Sequence, residues 1–162
     1  MTTDAVYRWM AKKDPEGPRW TDPSFSGYRH LPEEVRFLLS SDKLEFEIQN
    51  GGLPQFLWNT FYHWRWILDD CEGAYGMIGA HSQHLAISEF RNLCDGHEKS
   101  CRVSIFHCVS AKDFQKFNDW MASAVTTLRS DKEKLFYFDS GLQVLKEEWY
   151  AVNGARIKKL LR

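Results

Sequence analysis

The sequence predicts an all-α fold, a single compact multi-helix domain preceded by an irregular N-terminal arm. Apolar residues recur at helical spacing through most of the chain after residue 31. Glycine and proline residues separate these runs, and the one stretch with β character, 101–109, has no obvious partner strand. With 162 residues, of which 43% are hydrophobic, the chain is large enough for one hydrophobic core. We therefore expect an arm over 1–30 and a helical domain over 31–162.

Proline makes the predicted arm irregular. Four of the five prolines in the chain precede residue 33, and the stretch 12–28 adds two glycines. This composition favours turns over regular helix. Trp20, Phe25 and Tyr28 give the arm apolar surface, so we expect it to pack onto the helical domain.

The first long helix is expected to begin at Pro32, because a residue without an N–H is tolerated in the first helical turn. Apolar residues continue at helical spacing as far as Ile48. The stretch Asn50-Gly51-Gly52 tolerates left-handed backbone, and we expect Gly51 to close the helix in that conformation. Pro54 is placed to begin the next helix.

An aromatic-rich helix is expected over 55–68. Polar residues are few along it, which is typical of a helix that is buried on most sides. Either it forms the centre of the monomer or a second subunit covers part of its surface, and we expect a homodimer. The apolar residues of this run are Phe56, Leu57, Trp58, Phe61, Tyr62, Trp64, Trp66, Ile67 and Leu68.

Four further segments follow in the predicted fold. Glycines at 73, 76 and 79 precede a helix over about 78–94, and the stretch 95–109 is expected to be a loop or a short extended piece. The pattern Ser-x-x-Asp at 110–113 is a helix start signal, and apolar residues follow at helical spacing as far as Leu128. A helix over 141–152 is expected to end at Asn153-Gly154, before a short terminal helix.

Charge is distributed unevenly along a chain whose formal net charge is only −1. Residues 31–98 hold 11 acidic and 4 basic side chains, whereas residues 99–162 hold 7 acidic and 12 basic ones. The fold either separates these charges into an acidic and a basic face, which would favour self-association or a charged protein partner, or intermixes them. The balanced total predicts no direct binding of nucleic acid.

The cysteine and histidine residues between 94 and 108 are the one cluster with metal-ligand chemistry. Their spacing is not that of a standard zinc finger, and a helical domain with an adequate core does not need a metal to fold. We expect free thiols and no metal, with a zinc-stabilised domain as an alternative. The residues concerned are Cys94, His97, Cys101, His107 and Cys108.

No arrangement of residues indicates a catalytic site. His81 and His84 could face one side of a helix together with Glu89 or Asp70, as in a small metal-dependent enzyme, but no HExxH pattern accompanies them. The chain also lacks a phosphate-binding glycine loop and a G-x-S-x-G elbow. We expect no catalytic residue, no cofactor and no enzymatic activity.

The stretch 47–59 resembles the E-x-x-N-G-G-F-x-Q-[YF]-F-x-N signature of a bacterial family of small helical domains of unknown function that is associated with DNA-mimic proteins. It departs from that signature at Leu53 and Leu57, where the signature has phenylalanine. The resemblance extends over residues 31–95. Independently of it, polar side chains at a helix junction can satisfy helix-end groups that lack partners. The matching residues are Glu47, Asn50, Gly51, Gly52, Gln55, Phe56 and Asn59.

The resemblance implies an all-α fold, dimerisation and action by binding another macromolecule. It also implies DNA mimicry, in which the carboxylates of residues 31–98 would imitate a duplex and occupy the DNA site of a DNA-binding protein. We prefer a non-enzymatic protein-binding module, a regulator or antagonist of its partner, with DNA mimicry as the alternative. The candidate partner surface comprises Trp58, Tyr62, Trp66, Asp69, Asp70 and Glu72.

The expected location is the bacterial cytoplasm. The N-terminal segment lacks the basic-then-apolar layout of a signal peptide, and no apolar run approaches the roughly 20 residues that span a bilayer. Without a secretory signal, the four cysteines are expected to remain reduced.

Overall fold

A computed structural model describes residues 26–125, 132–137 and 141–162, together with Val6, Arg8, Trp9 and Lys12. The regular elements within these residues are all helical, which confirms the predicted all-α class. In chain order they are α1 (Ser26–Arg29), α2 (Glu33–Thr60), α3 (Trp64–Met77), α4 (His81–Cys101), α5 (Ile105–Ser110), α6 (Phe114–Val125), a 3-10 turn (Glu133–Phe136) and α7 (Leu142–Leu160).

Helix α2 passes through the predicted helix end and bends there. Gly52, and not Gly51, has the positive φ, at 78° with ψ at −173°. The prediction for Gly51 was therefore wrong by one residue. The bend frees the N–H of Leu53, which donates to Glu133 Oε1 at 2.8 Å, and Pro54 has no N–H to satisfy. At its start, Pro32 occupies the N-cap position without a side-chain hydrogen bond, and Glu33 is the first helical residue.

The predicted aromatic helix is divided by a turn at 61–63. The N–H of His63 donates to the carbonyl of Thr60 at 2.8 Å, and α3 begins at the next residue. The turn places Trp64 in the core while Tyr62 contacts Phe106 of α5. A single helix over 55–68 was therefore the wrong prediction, because the turn gives the aromatic side chains different directions.

Helices α2 and α3 pack against each other, and α4 packs against α3. Gly73 lies inside α3, where the ring of Phe37 occupies the space that a Cβ atom would need. The helix continues through Gly73 and Gly76, where glycines were expected to separate two elements, and it ends at Met77. Gly79, with a φ of 76°, then separates α3 from α4.

The stretch 95–109 is helical, which corrects the predicted loop or extended piece. Helix α4 continues to Cys101, and Arg102 ends it with left-handed backbone at φ 54°. Ser104 then begins α5, because its Oγ accepts the N–H of His107 at 3.2 Å. This local cap outweighs the β propensity of the segment.

Helix α6 starts later than the Ser-x-x-Asp signal predicts, because Ser110 ends α5 and Asp113 is the cap, with its Oδ1 accepting the N–H of Lys116 at 2.9 Å. Leu128, the last residue of the predicted apolar stripe, lies outside the described residues. Helix α7 is one helix and does not end at Asn153-Gly154 as predicted. Asn153 Nδ2 instead donates to the carbonyl of Trp149 within the helix, and Gly154 is buried.

Buried side chains form two clusters. The larger one joins the second half of α2 to α3, α4, α5 and α6. The smaller one packs the first half of α2 against α7 and against Val6 and Tyr28. Trp20 and Phe25 lie outside the described residues. Among the described helices, none is long and apolar enough to cross a membrane.

Candidate functional site at the kink of helix α2

The carboxylate of Glu47 joins the two halves of α2 across the kink. Glu47 is 1% exposed, and its Oε2 accepts hydrogen bonds from Gln55 Nε2 at 2.7 Å and Asn59 Nδ2 at 2.9 Å. Its other oxygen pairs with Lys43 one turn earlier. A buried carboxylate is costly unless its oxygens are satisfied, and these three partners satisfy it. Four polar side chains thus fix the bend.

The remaining residues of the motif have different roles. Phe56 is completely buried in the main core. Asn50 is exposed and its Nδ2 donates to the carbonyl of Phe46 at 2.6 Å. Gly51 leaves the space that the side chain of Gln55 occupies, because a Cβ atom there would overlap the Gln55 amide. The two glycines therefore have different roles. Gly52 allows the helix to bend, and Gly51 leaves room for the side-chain amide of Gln55.

A groove of about 550 Å³ opens beside the kink, between α2 and α6. Trp58 packs edge to face on Phe114 and Phe117, with ring centroids 5.2 and 5.1 Å apart. Phe114 is 60% exposed at the groove, whereas Phe117 is buried in its floor. The groove is lined by Gly51, Pro54, Gln55, Trp58, Asn59, Phe114, Phe117 and Asn118. Its chemistry is that of a binding surface, with aromatic faces and side-chain amides.

A second exposed aromatic cluster lies where α2 turns into α3. Tyr62 packs against Phe61 and Phe106, with ring centroids 4.2 and 5.2 Å apart. Phe106 is 46% exposed. Trp58 and Tyr62 from the candidate partner surface are therefore each half-buried beside a phenylalanine that is open to solvent.

Trp66, in the first turn of α3, contacts the smaller core cluster. Its ring packs edge to face on Tyr28, with centroids 5.1 Å apart, and the guanidinium of Arg29 lies 4.9 Å above it. It is partly buried against the smaller core cluster. Trp66 also lines one pocket with Tyr62 and Phe106, and it lies apart from the groove that Trp58 lines.

Asp70 is buried and does not belong to the candidate partner surface. Arg36 donates to both of its oxygens, at 3.3 and 3.2 Å, and Ser40 Oγ lies 3.5 Å from Oδ2. Burial raises the pKa of Asp70, while the hydrogen bonds and charge of Arg36 lower it. The carboxylate instead joins α3 to α2, because an ionised group in that position needs the arginine.

Asp69 and Glu72 both pair with Arg91 of α4. Asp95 and Glu98 share Arg65 in the same way. Each set holds two carboxylates around one guanidinium and keeps one net negative charge. Helices α3 and α4 therefore carry paired, partly exposed carboxylates along their contact.

Ion pairs intermix the acidic and basic segments of the chain. Of the 11 acidic residues in 31–98, only Glu33 and Asp42 form no ion pair with a described residue. Three of these pairs reach the basic segment, namely Glu34–Arg156, Glu45–Lys146 and Glu89–Lys132. The intermixed alternative is thus the one that the described residues follow.

The cysteine and histidine series is dispersed. Cys94 and Cys108 are buried, and burial raises the pKa of both thiols. Cys101 is exposed beside His97, with its sulfur 3.5 Å from Nε2. His107 is exposed on α5. Within the described ranges, no three His, Cys, Asp or Glu side chains form a group that could hold a metal ion.

The histidine pair of α4 has separate partners. His84 Nδ1 lies 3.0 Å from the carbonyl oxygen of Glu72, and His81 is exposed. Glu89 pairs with Lys132, and Asp70 with Arg36. These contacts do not bring the four side chains together as an acid–base site would require.

The fold and the kink define a class of small all-α protein with a polar hub beside an aromatic groove. A family model described as DMP19-like protein matches residues 29–160, and the chain belongs to that family. It is a family of DNA-mimic proteins. No curated protein matches the chain, and no solved structure does.

The sequence indicated the polar motif and Trp58, but the opposite wall of the groove was not recognised. Phe114 and Phe117 were assigned to the apolar stripe of α6, which is correct for Phe117 and incomplete for Phe114. Phe114 is the first residue of that helix, and its side chain is exposed at the groove. The partner of the Leu53 amide, Glu133, lies 80 positions away and leaves no local signal.

Proposed function

We propose that this protein acts without catalysis, by binding a protein partner in the groove beside the kink of α2, and that it regulates or antagonises that partner. The observation that carries this proposal is the exposed ring of Phe114 packed against Trp58 at a groove lined by the amides of Gln55 and Asn59. Aromatic residues are enriched in protein interfaces, and amides supply directional hydrogen bonds.

The groove is also held in shape before a partner arrives. Glu47 fixes the amides of Gln55 and Asn59, and Trp58 is held by Phe117 in the core. A surface that is already ordered loses less conformational entropy on binding than a flexible one. These contacts support a binding role for the groove.

A homodimer through the second aromatic cluster is part of the proposal. Phe61, Tyr62 and Phe106 form an apolar surface that continues from the end of α2 onto α5. Exposed aromatic surface of this kind favours association.

The free thiols fit a reducing compartment, so we propose that the protein acts in the bacterial cytoplasm.

DNA mimicry is the second candidate function, and family membership favours it. In that case the partner is a DNA-binding protein, and the carboxylates of α3 and α4 take the place of phosphates. The pairs around Arg65 and Arg91 each retain one negative charge, which supports this reading. The ion pairs reduce the field of this face, because each guanidinium neutralises one carboxylate of its set.

Affinity capture with matched variants distinguishes the two functions. Four proteins serve as baits: wild type, Phe114→Ser, the double variant Asp69→Asn/Glu89→Gln and the control Val152→Ser. Val152 is an exposed apolar residue of α7. The groove proposal predicts that one partner is recovered with wild type, the double variant and the control, and is lost with Phe114→Ser. DNA mimicry predicts loss with the double variant and displacement of the partner by duplex DNA. Recovery of no common partner contradicts both.

A further inference from the structure

A second cavity lies where α4 meets α5, and its lining is strongly charged. Its volume is about 750 Å³, within the range of small-molecule sites. It lies outside the groove beside the kink, and the residues that line it are Arg65, Asp95, Glu98, Lys99, Arg102, Val103, Ser104, His107 and Lys116.

The two carboxylates of this cavity already have partners. Asp95 Oδ1 accepts a hydrogen bond from Arg65 Nε at 2.7 Å, and Glu98 Oε2 pairs with the same guanidinium. The other oxygen of Glu98 accepts the N–H of Ile105 at 2.7 Å. The carboxylates of Asp95 and Glu98 are thus satisfied by Arg65 and by the backbone N–H of Ile105 at the start of α5.

Three cations that line the cavity form no ion pair with a described residue. Lys99, Arg102 and Lys116 are exposed, and none of them forms an ion pair with a residue that the structure describes. Arg102 stands at the C-terminal end of α4 with its backbone at φ 54°, a conformation that is uncommon for residues other than glycine. Asp113 is the carboxylate next to Lys116, and it is bound to that residue's backbone N–H.

We propose that this cavity binds the multiply charged phosphate group of a small molecule. Lysine and arginine side chains form short, charge-assisted hydrogen bonds to phosphate oxygens, and a group with several negative charges complements a lining that carries several such cations. The ligand carries a diphosphate or triphosphate moiety, because three cations line a cavity whose own carboxylates are already paired. The site is independent of the groove, and it shares Arg65, Asp95 and Glu98 with the carboxylate face of the second candidate function.

Calorimetric titration with inorganic pyrophosphate tests this site at constant ionic strength. The cavity variant is Lys99→Gln/Arg102→Asn/Lys116→Gln, with asparagine at 102 because it tolerates left-handed backbone. The control Lys158→Gln/Lys159→Gln/Arg162→Gln removes the same charge from exposed positions at the end of the chain. We expect pyrophosphate to bind wild type and control within about twofold of each other, and the cavity variant at least about tenfold more weakly.

Two controls keep the result interpretable. Circular dichroism and the melting temperature establish that the cavity variant is folded, and the single variants Lys99→Gln and Lys116→Gln replace it if it is not. Absence of pyrophosphate binding to wild type, or an equal loss in the cavity and control variants, overturns the proposal. A single-stranded oligonucleotide that binds more tightly than pyrophosphate and needs the same cations also overturns it, since the ligand would then be nucleic acid.

Discussion

At the scale of single residues, Gly52 determines the direction of α2. Its φ of 78° and ψ of −173° fall in a region that is essentially restricted to glycine. A Cβ atom at this position would also lie 2.7 Å from Glu133 Oε1, the acceptor of the Leu53 amide. Backbone strain and a displaced hydrogen-bond partner therefore act in the same direction.

We expect Gly52→Ala to lower the free energy of unfolding by about 1–3 kcal/mol in urea denaturation. Gly96→Ala is the matched control, because Gly96 lies inside α4 and a side chain there would project into open space. Alanine is the better helix former, so the control should gain about 0.5–1 kcal/mol. A Gly52→Ala variant as stable as wild type would show that the backbone at this residue is not what we describe.

Thiol reactivity provides a second prediction at this scale. Cys71, Cys94 and Cys108 are buried, and burial raises the pKa of each thiol, so they are protonated and shielded at neutral pH. Cys101 is exposed. We expect Ellman's reagent to modify one thiol per chain rapidly in the native protein and the others only after denaturation. Cys101→Ser should abolish the rapid phase, and its persistence would contradict the assigned burial.

At the scale of elements, Glu45 of α2 joins that helix to α3 and α7. Lys146 Nζ lies 2.6 Å from Glu45 Oε2, and the hydroxyl of Tyr75 donates to Oε1 at 3.1 Å. Burial raises the pKa of Glu45 above its ordinary value of 4.5, and the charge of Lys146 opposes this change without cancelling it. The carboxyl group therefore retains its proton to a higher pH in the folded chain than in the unfolded chain.

The sign of the pH dependence follows from this difference. Between pH 4.5 and the raised pKa of Glu45, the folded chain binds more protons at this residue than the unfolded chain does. The contribution of Glu45 to the free energy of unfolding therefore falls as pH increases. Urea denaturation of wild type and Glu45→Gln across this range isolates the contribution. We expect the stability of wild type minus that of the variant to decrease with pH and then level off. A difference that increases with pH would contradict the direction of the shift.

Sequence patterns located the elements better than their ends. The apolar spacing of α6 was local and predicted the helix, whereas the Ser-x-x-Asp signal placed its start at Ser110 and the structure places the cap at Asp113. The prediction of a loop or short extended piece at 95–109 was wrong, because the Ser104 cap starts a helix in spite of the β propensity of the segment. The predicted helix end at Asn153-Gly154 was wrong, because Gly154 is buried inside α7. Contacts such as Glu47 with Asn59 could be suspected from a motif, whereas Leu53 with Glu133 required the fold.

The charge pattern shows the same division between local and distant information. Residues 31–98 are strongly acidic in sequence, yet their carboxylates pair with arginines on neighbouring helices and with Lys132, Lys146 and Arg156 from the basic segment. Segment charge along a chain does not establish surface charge, because helices that are distant in sequence lie side by side. This is why the acidic segment alone does not define a mimic of DNA.

At the scale of the whole molecule, we expect a homodimer through Phe61, Tyr62 and Phe106. A stable apolar interface buries at least about 1,200 Å² in total and is insensitive to salt, because screening acts on charges. Light scattering at micromolar protein should give twice the chain mass at every salt concentration. Phe106→Ser should reduce it to the monomer mass, while Leu85→Ser, a variant at an exposed residue of α4, should not. A monomer at every salt concentration would exclude the dimer.

The central claim is that the groove beside the kink binds a protein partner, and affinity measured with the purified partner tests it most directly. Calorimetry would compare wild type with Phe114→Ser, which removes the exposed ring, and with Val152→Ser, which removes an apolar side chain that is 81% exposed on α7. We predict that Phe114→Ser weakens binding at least about tenfold, as expected for a central aromatic anchor, and that Val152→Ser stays within about twofold of wild type. Equal affinity for all three proteins would contradict the account.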